Sequence, residues 1–68
     1  MSAQEFIETL KLIGEDYTSA LPKREIFSLA KEFQCIQVTE VIKLLRNEND
    51  DYRLGAVSIL DWKARNKK

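Results

Sequence analysis

The chain has 68 residues, 44% of them apolar, with eleven acidic and eleven basic side chains, no histidine and a single cysteine. One domain is the ceiling at this length, and a fold this small buries only roughly 60% of the surface its unfolded form exposes. Zero net charge excludes a wholly basic nucleic-acid module; the lone Cys35 excludes a disulfide framework and, without histidine, argues against a zinc site and for a reducing compartment.

The opening residues Met1-Ser2-Ala3-Gln4-Glu5 carry no basic region and no apolar core of a leader. No apolar run approaches the ~18 residues that span a bilayer. The expected location is the cytoplasm, with no membrane partner and no cofactor.

The first predicted helix covers 2–14. Ser2-Ala3-Gln4-Glu5 has the spacing of a capping box, in which the serine hydroxyl and the glutamate carboxylate each satisfy a free backbone N–H. Phe6, Ile7, Leu10 and Ile13 then fall on one stripe, and Gly14 is expected to end the helix in the left-handed conformation. Leu12 lies off the stripe, either exposed or a second contact. After a connector from Glu15 to Leu21, Pro22 starts a helix over 22–34, where its missing N–H is not needed. Ile26, Leu29, Ala30 and Phe33 make its stripe, with Phe27 at the edge. Cys35-Ile36-Gln37 form an apolar corner in which Cys35 is expected to be buried.

The third helix is predicted over 38–47, with Val38, Val41, Ile42, Leu44 and Leu45 covering nearly half its circumference. Asn47-Glu48-Asn49-Asp50 is a turn of side-chain cappers, and Asn49 or Asp50 is expected to cap the fourth helix, 51–66. At about 100° per residue, the apolar and small residues of that helix, from Tyr52 to Ala64, spread over roughly 220° of arc. An arc that wide implies neighbours on more than one side. Gly55, with almost no side chain, admits a close helix, so Gly55, Ile59 and Trp62 are the candidate interaction flank. The remaining polar strip is Ser58, Asp61 and Arg65, with Leu54 beside it.

Charge is unevenly placed. Glu5, Glu8, Glu15 and Asp16 face only Lys11 before Pro22, whereas Lys63, Arg65, Lys67 and Lys68 follow Trp62 with no acid among them. The terminal cations complement a helix dipole or form a contact site for an anionic partner.

The run VIKLLRNENDDYRLGAVSIL from Val41 to Leu60 has a paired-leucine helix, an acidic turn, Asp-x-Arg and then a small-residue apolar helix. That order resembles a HEAT-type helical hairpin, a unit that buries its faces by stacking on neighbours. An ordinary hairpin in a small bundle is the alternative. More narrowly, Leu29-Ala30-Lys31-Glu32-Phe33 within ALPKREIFSLAKEFQ, followed by Arg53-Leu54-Gly55-Ala56-Val57-Ser58-Ile59-Leu60, resembles the N-terminal part of the bacterial DNA alkylation repair enzymes, the HEAT-like alkylpurine DNA glycosylases. Asp50 and Asp51 replace the histidine and glutamate of that pattern.

The resemblance implies an all-α fold: four short helices forming HEAT-like antiparallel hairpins, a single unit over 1–68 and a fragment of an α-α superhelix. It implies a non-catalytic scaffold segment, the leading repeats of a longer solenoid, with possible partners in duplex DNA and in the next repeat or a second copy of the chain. The family's catalytic residues lie in later repeats, and none aligns here. Arg65, Lys67 and Lys68 are the candidate DNA backbone contacts.

The residues themselves argue against an enzyme acting alone. There is no histidine for a Ser–His or Cys–His pair, and Gly14 and Gly55, the only glycines, form no phosphate loop. Glu48, Asp50 and Asp51 lack the spacing of an EF-hand, so capping is favoured over metal binding. A helix-turn-helix over 25–45 is disfavoured, because its second helix presents Val38, Val41, Ile42, Leu44 and Leu45 where base-reading polar side chains belong. Against DNA scaffolding stands a second class of function: a protein–protein interaction module whose exposed apolar flank binds another chain or itself as a dimer.

Overall fold

In a computed structural model, which describes residues 1–66, the chain is all-α, with helices α1 (Ala3–Gly14), α2 (Lys23–Glu32), α3 (Val38–Leu45) and α4 (Asp50–Arg65). Each boundary falls within two residues of its expected place. Pro22 caps α2 with extended ψ 139° and does not occupy the first turn. The 22–34 and 38–47 predictions overrun because each helix tightens at its end: Gln34 N–H donates to the Lys31 carbonyl and Asn47 N–H to the Leu44 carbonyl.

Ser2 and Asn49 cap as the sequence suggests, but Glu5 does not return a bond to a backbone N–H and Gly14 does not cap in the left-handed conformation. Ser2 Oγ accepts the Glu5 N–H at 3.2 Å, while the Glu5 carboxylate lies 3.8 Å from the N-terminal ammonium. Among the described residues none has positive φ, so Gly14 is no left-handed cap. The chain passes through it and unwinds in a tight turn, with the N–H groups of Asp16 and Tyr17 donating to the carbonyls of Ile13 and Gly14.

The turn before α4 is held by side chains. Asn47 Oδ1 accepts the Asn49 N–H and Asn49 Oδ1 accepts the Asp51 N–H, each at 2.8 Å. Arg53 Nη1 donates to the carbonyls of Asn47 and Glu48 at 2.8 and 3.1 Å, and its Nη2 pairs with Asp50. One guanidinium thus closes the loop it follows.

α4 is the central element, packed along both α2 and α3, with α1 lying more sparsely on α2 and α3. The core is built from Phe6 and Leu10 of α1, Ile26 of α2, Ile36 at the corner, Leu44 of α3 and Ile59 of α4. Phe6 meets Phe33 edge to face, ring centroids 5.3 Å apart at 82°. Its far edge rests on Gly55, where an added Cβ would lie 2.5 Å from Phe6 Cε1 and 2.6 Å from Cζ. The close approach that Gly55 permits is therefore made by an aromatic ring of the same chain.

α1 is also tied at its start by a residue far away in sequence. Glu40 of α3 accepts the Ala3 N–H through Oε1 at 2.9 Å and pairs with Lys43 through Oε2 at 2.8 Å. The Lys43 hydrogen bond and then the Ala3 N–H hold the Glu40 carboxyl below its ordinary value of 4.5. Cys35, expected inside, is exposed: the tight turn after α2 sends Phe33 and Ile36 inward and leaves Cys35 between them on the outside.

Candidate interaction groove

The faces of α4 are not arranged as its helical wheel suggests. Gly55, Ala56, Ser58 and Ile59 are buried. Gly55 and Ile59 are thus core positions, which corrects their place on an interaction flank, and only Trp62 of that trio reaches solvent, half-buried. The reason is local: α1, α2 and α3 supply the neighbours that the wide apolar arc called for. Besides the charged Asp50, Asp61 and Arg65, what is left exposed is the stripe Arg53, Val57, Leu60 and Ala64, with Val57 at 55% and Leu60 at 37%.

The polar strip is relocated as well. Leu54 and Ser58 are drawn against the rest of the chain, while Asp61 and Arg65 stay exposed at the rim. With Phe27 of α2, Val57 and Trp62 they line an open groove of about 500 Å³. Ser58 is 9% exposed, because it sits at the floor beside α2. Phe27, at the edge of its stripe, forms the opposite wall and is 43% exposed.

Trp62 closes one end of the groove between two cations. Lys31 Nζ lies 5.3 Å from its ring centroid and Arg65 Cζ 5.5 Å, contacts worth roughly 0.5–1 kcal/mol each at an exposed site. Arg65 Nε also donates to Asp61 Oδ2 at 2.9 Å, one turn back on α4. Of the three expected DNA contacts, then, Arg65 is engaged by Asp61 and Trp62, and Lys67 and Lys68 lie outside the described residues. Arg24, an exposed residue one turn before Phe27, places a further cation on the same stripe of α2.

The groove has four apolar side chains, one serine and one ion pair. Such a lining excludes water from a docked apolar side chain and offers charge at its edge; it does not pair a nucleophile with a base. Phe27 and Lys31 were the residues least visible from sequence. Their signal is the exposed i, i+3, i+7 series Arg24, Phe27, Lys31, which reads as an ordinary solvated face until α4 is placed beside it.

No protein-family model, no curated protein and no solved structure matches the chain. Among the described residues, no helix is long and apolar enough to cross a membrane.

Proposed function

We propose that the chain is a non-catalytic helical interaction module that binds an acidic, amphipathic helix of a polypeptide in the α2–α4 groove. A single observation carries this reading: an open groove lined by the apolar Phe27, Leu54 and Val57 ends at a tryptophan held between Lys31 and Arg65. Apolar side chains recognise the apolar anchor of a docked helix, and the flanking cations favour acids one turn either side of it.

Trp62 is the chain's one tryptophan, so its fluorescence reports on the groove. A synthetic helical peptide with one leucine flanked by glutamates should shift that emission saturably, and the lysine-flanked analogue should not. Phe27→Glu should abolish the response. An equal response to both peptides, or an unchanged response in the variant, rejects the proposal.

The resemblance to the DNA alkylation repair enzymes supports a separate proposal: that the segment serves as scaffold beside duplex DNA, with α3 and α4 as a HEAT-like hairpin. Its support is the sequence pattern. Duplex binding that falls steeply with salt, and less steeply once Arg65, Lys67 and Lys68 are neutralised, is what it requires. Absence of binding at low salt ends it.

A further inference from the structure

Which helix carries acids one turn either side of a single apolar anchor? This chain has one. The outer stripe of α1 runs Glu5, Glu8 and Leu12 and continues into the C-cap Glu15, with Asp16 in the turn just beyond, and every one of these side chains is exposed. Leu12 is 65% exposed, the largest exposure of a bulky apolar side chain within any of the four helices, and only acids lie one turn away from it on that stripe. Lys11 sits on a different line of the helix, about 100° from Leu12.

The stripe of α2 beside the groove has the same pattern with opposite charge. Arg24, Phe27 and Lys31 place a cation one turn before and one turn after an exposed aromatic. Around Leu12 the acids stand four residues before it on α1 (Glu8) and three after it at the C-cap (Glu15), whose backbone keeps helical dihedrals. A helix rises about 1.5 Å per residue. The two cations are therefore spaced along α2 nearly as the acids are along α1, each pair centred on an apolar side chain. Laying one stripe on the other sets Leu12 against Phe27 and each acid opposite a cation.

We infer that the groove of one copy is filled by α1 of a second copy, with Leu12 seated between Phe27 and Val57, and Glu8 and Glu15 against the cations Arg24 and Lys31. This rests on the groove being an interaction site and goes further in naming its occupant. The two surfaces are different parts of the chain, so an unreciprocated contact runs head-to-tail and leaves a free α1 stripe at one end and a free groove at the other, whereas one reciprocated about a two-fold axis stops at the dimer. Zero net charge removes the overall repulsion that would oppose association.

Sedimentation of the full chain over a concentration series tests it. Weight-average mass should rise from 7.9 kDa to the dimer or beyond at low salt and fall back toward monomer in high salt, because the contact depends on exposed charge. Leu12→Glu and Phe27→Glu should each sediment as monomer. Both positions are exposed, and circular dichroism with Trp62 emission verifies that each variant folds. Ile42→Glu, a change at an equally exposed apolar residue of α3 (42%), should leave association intact. The deciding measurement mixes the two monomeric variants. The Leu12→Glu protein keeps its groove and the Phe27→Glu protein keeps its α1 stripe, so together they should form one closed 1:1 dimer and nothing larger.

A wild type that stays monomeric at every concentration overturns the inference, as does a mixture that forms no dimer. If the wild type associates and Phe27→Glu abolishes this while Leu12→Glu does not, two grooves meet face to face; the groove stands and its occupant is wrong. If the acidic peptide also fails to move Trp62 emission, the groove itself falls.

Discussion

The two sides of α4 solve opposite problems. At Gly55 the helix gives up a side chain so that Phe6 can lie against its backbone, and everything there is sealed. At Val57 and Leu60, within two turns of the same helix, apolar side chains stand in solvent beside a groove. A helix whose apolar residues encircle most of it need not lack a neighbour on every side. In this chain three neighbours are internal, and the openness is confined to one strip. The sealed side should govern stability and the open side should govern association.

The largest effect should come from removing the ring on the sealed side. Phe6→Ala takes out a fully buried aromatic and should cost about 3–5 kcal/mol in urea unfolding. A small domain commonly has only roughly 0.05–0.15 kcal/mol of stability per residue, so this variant should lose a large share of the total. Gly55→Ala approaches the same contact from the other partner. Alanine gains about 1 kcal/mol of helix propensity, but its Cβ must displace a ring that is itself locked against Phe33. Overpacking of this kind costs about 1–3 kcal/mol, and a net loss near 1 kcal/mol is expected in the same measurement. A gain in stability would mean that Phe6 can move away freely.

Gly14 is the control for that substitution. Its φ is not positive and an added Cβ meets nothing within 4 Å, so Gly14→Ala should stabilise the chain by about 0.4–1 kcal/mol. On the open side, Phe27→Glu and Val57→Ser should stay within about 0.5 kcal/mol of the parent, since neither is a core residue, while changing association. Loss of stability at Val57 comparable to that at Gly55 would erase the distinction between the two sides.

A further change, whose sign matters more than its size, concerns Glu40. Its carboxyl is held below 4.5 in the fold by Lys43 and then by the Ala3 N–H. The contribution is therefore fully present above that value and is lost as pH falls through the lower, folded value. Glu40→Gln should be less stable than the parent at neutral pH, and the gap should close in acid. A gap independent of pH would assign the cap to the side chain's shape and not to its charge.

How much of this was legible beforehand differs by interaction range. Ser2, Asn49 and Arg53 act on backbone within six residues, and their roles can be read from spacing alone. The four helices follow from periodicity in the same way. Glu40 and Gly55 act on residues tens of positions away, and nothing in their surroundings along the chain names Ala3 or Phe6 as the partner. A helical wheel gives each side chain an angle about its own axis; it does not say which neighbouring helix occupies that angle. For that reason Gly55 and Ile59 were placed on a flank, and Ser58 with Leu54 on an outer strip, when all four face other helices of the same chain. Cys35 was misplaced for a different reason: in a turn the inward direction depends on each dihedral, and hydrophobicity alone does not decide between adjacent residues.

The sparse attachment of α1 has a consequence for the order in which the molecule opens. α1 contributes Ala3, Phe6 and Leu10 to the core, is fastened at its start by a single carboxylate, and is joined to α2 by residues 15–22, which are free of regular helix. α4, by contrast, is gripped along its length by α2 and α3. Amide protons of α1 should exchange with solvent through a partial opening that leaves α2, α3 and α4 folded, while those around Ala56 and Ile59 should exchange only when the whole chain unravels.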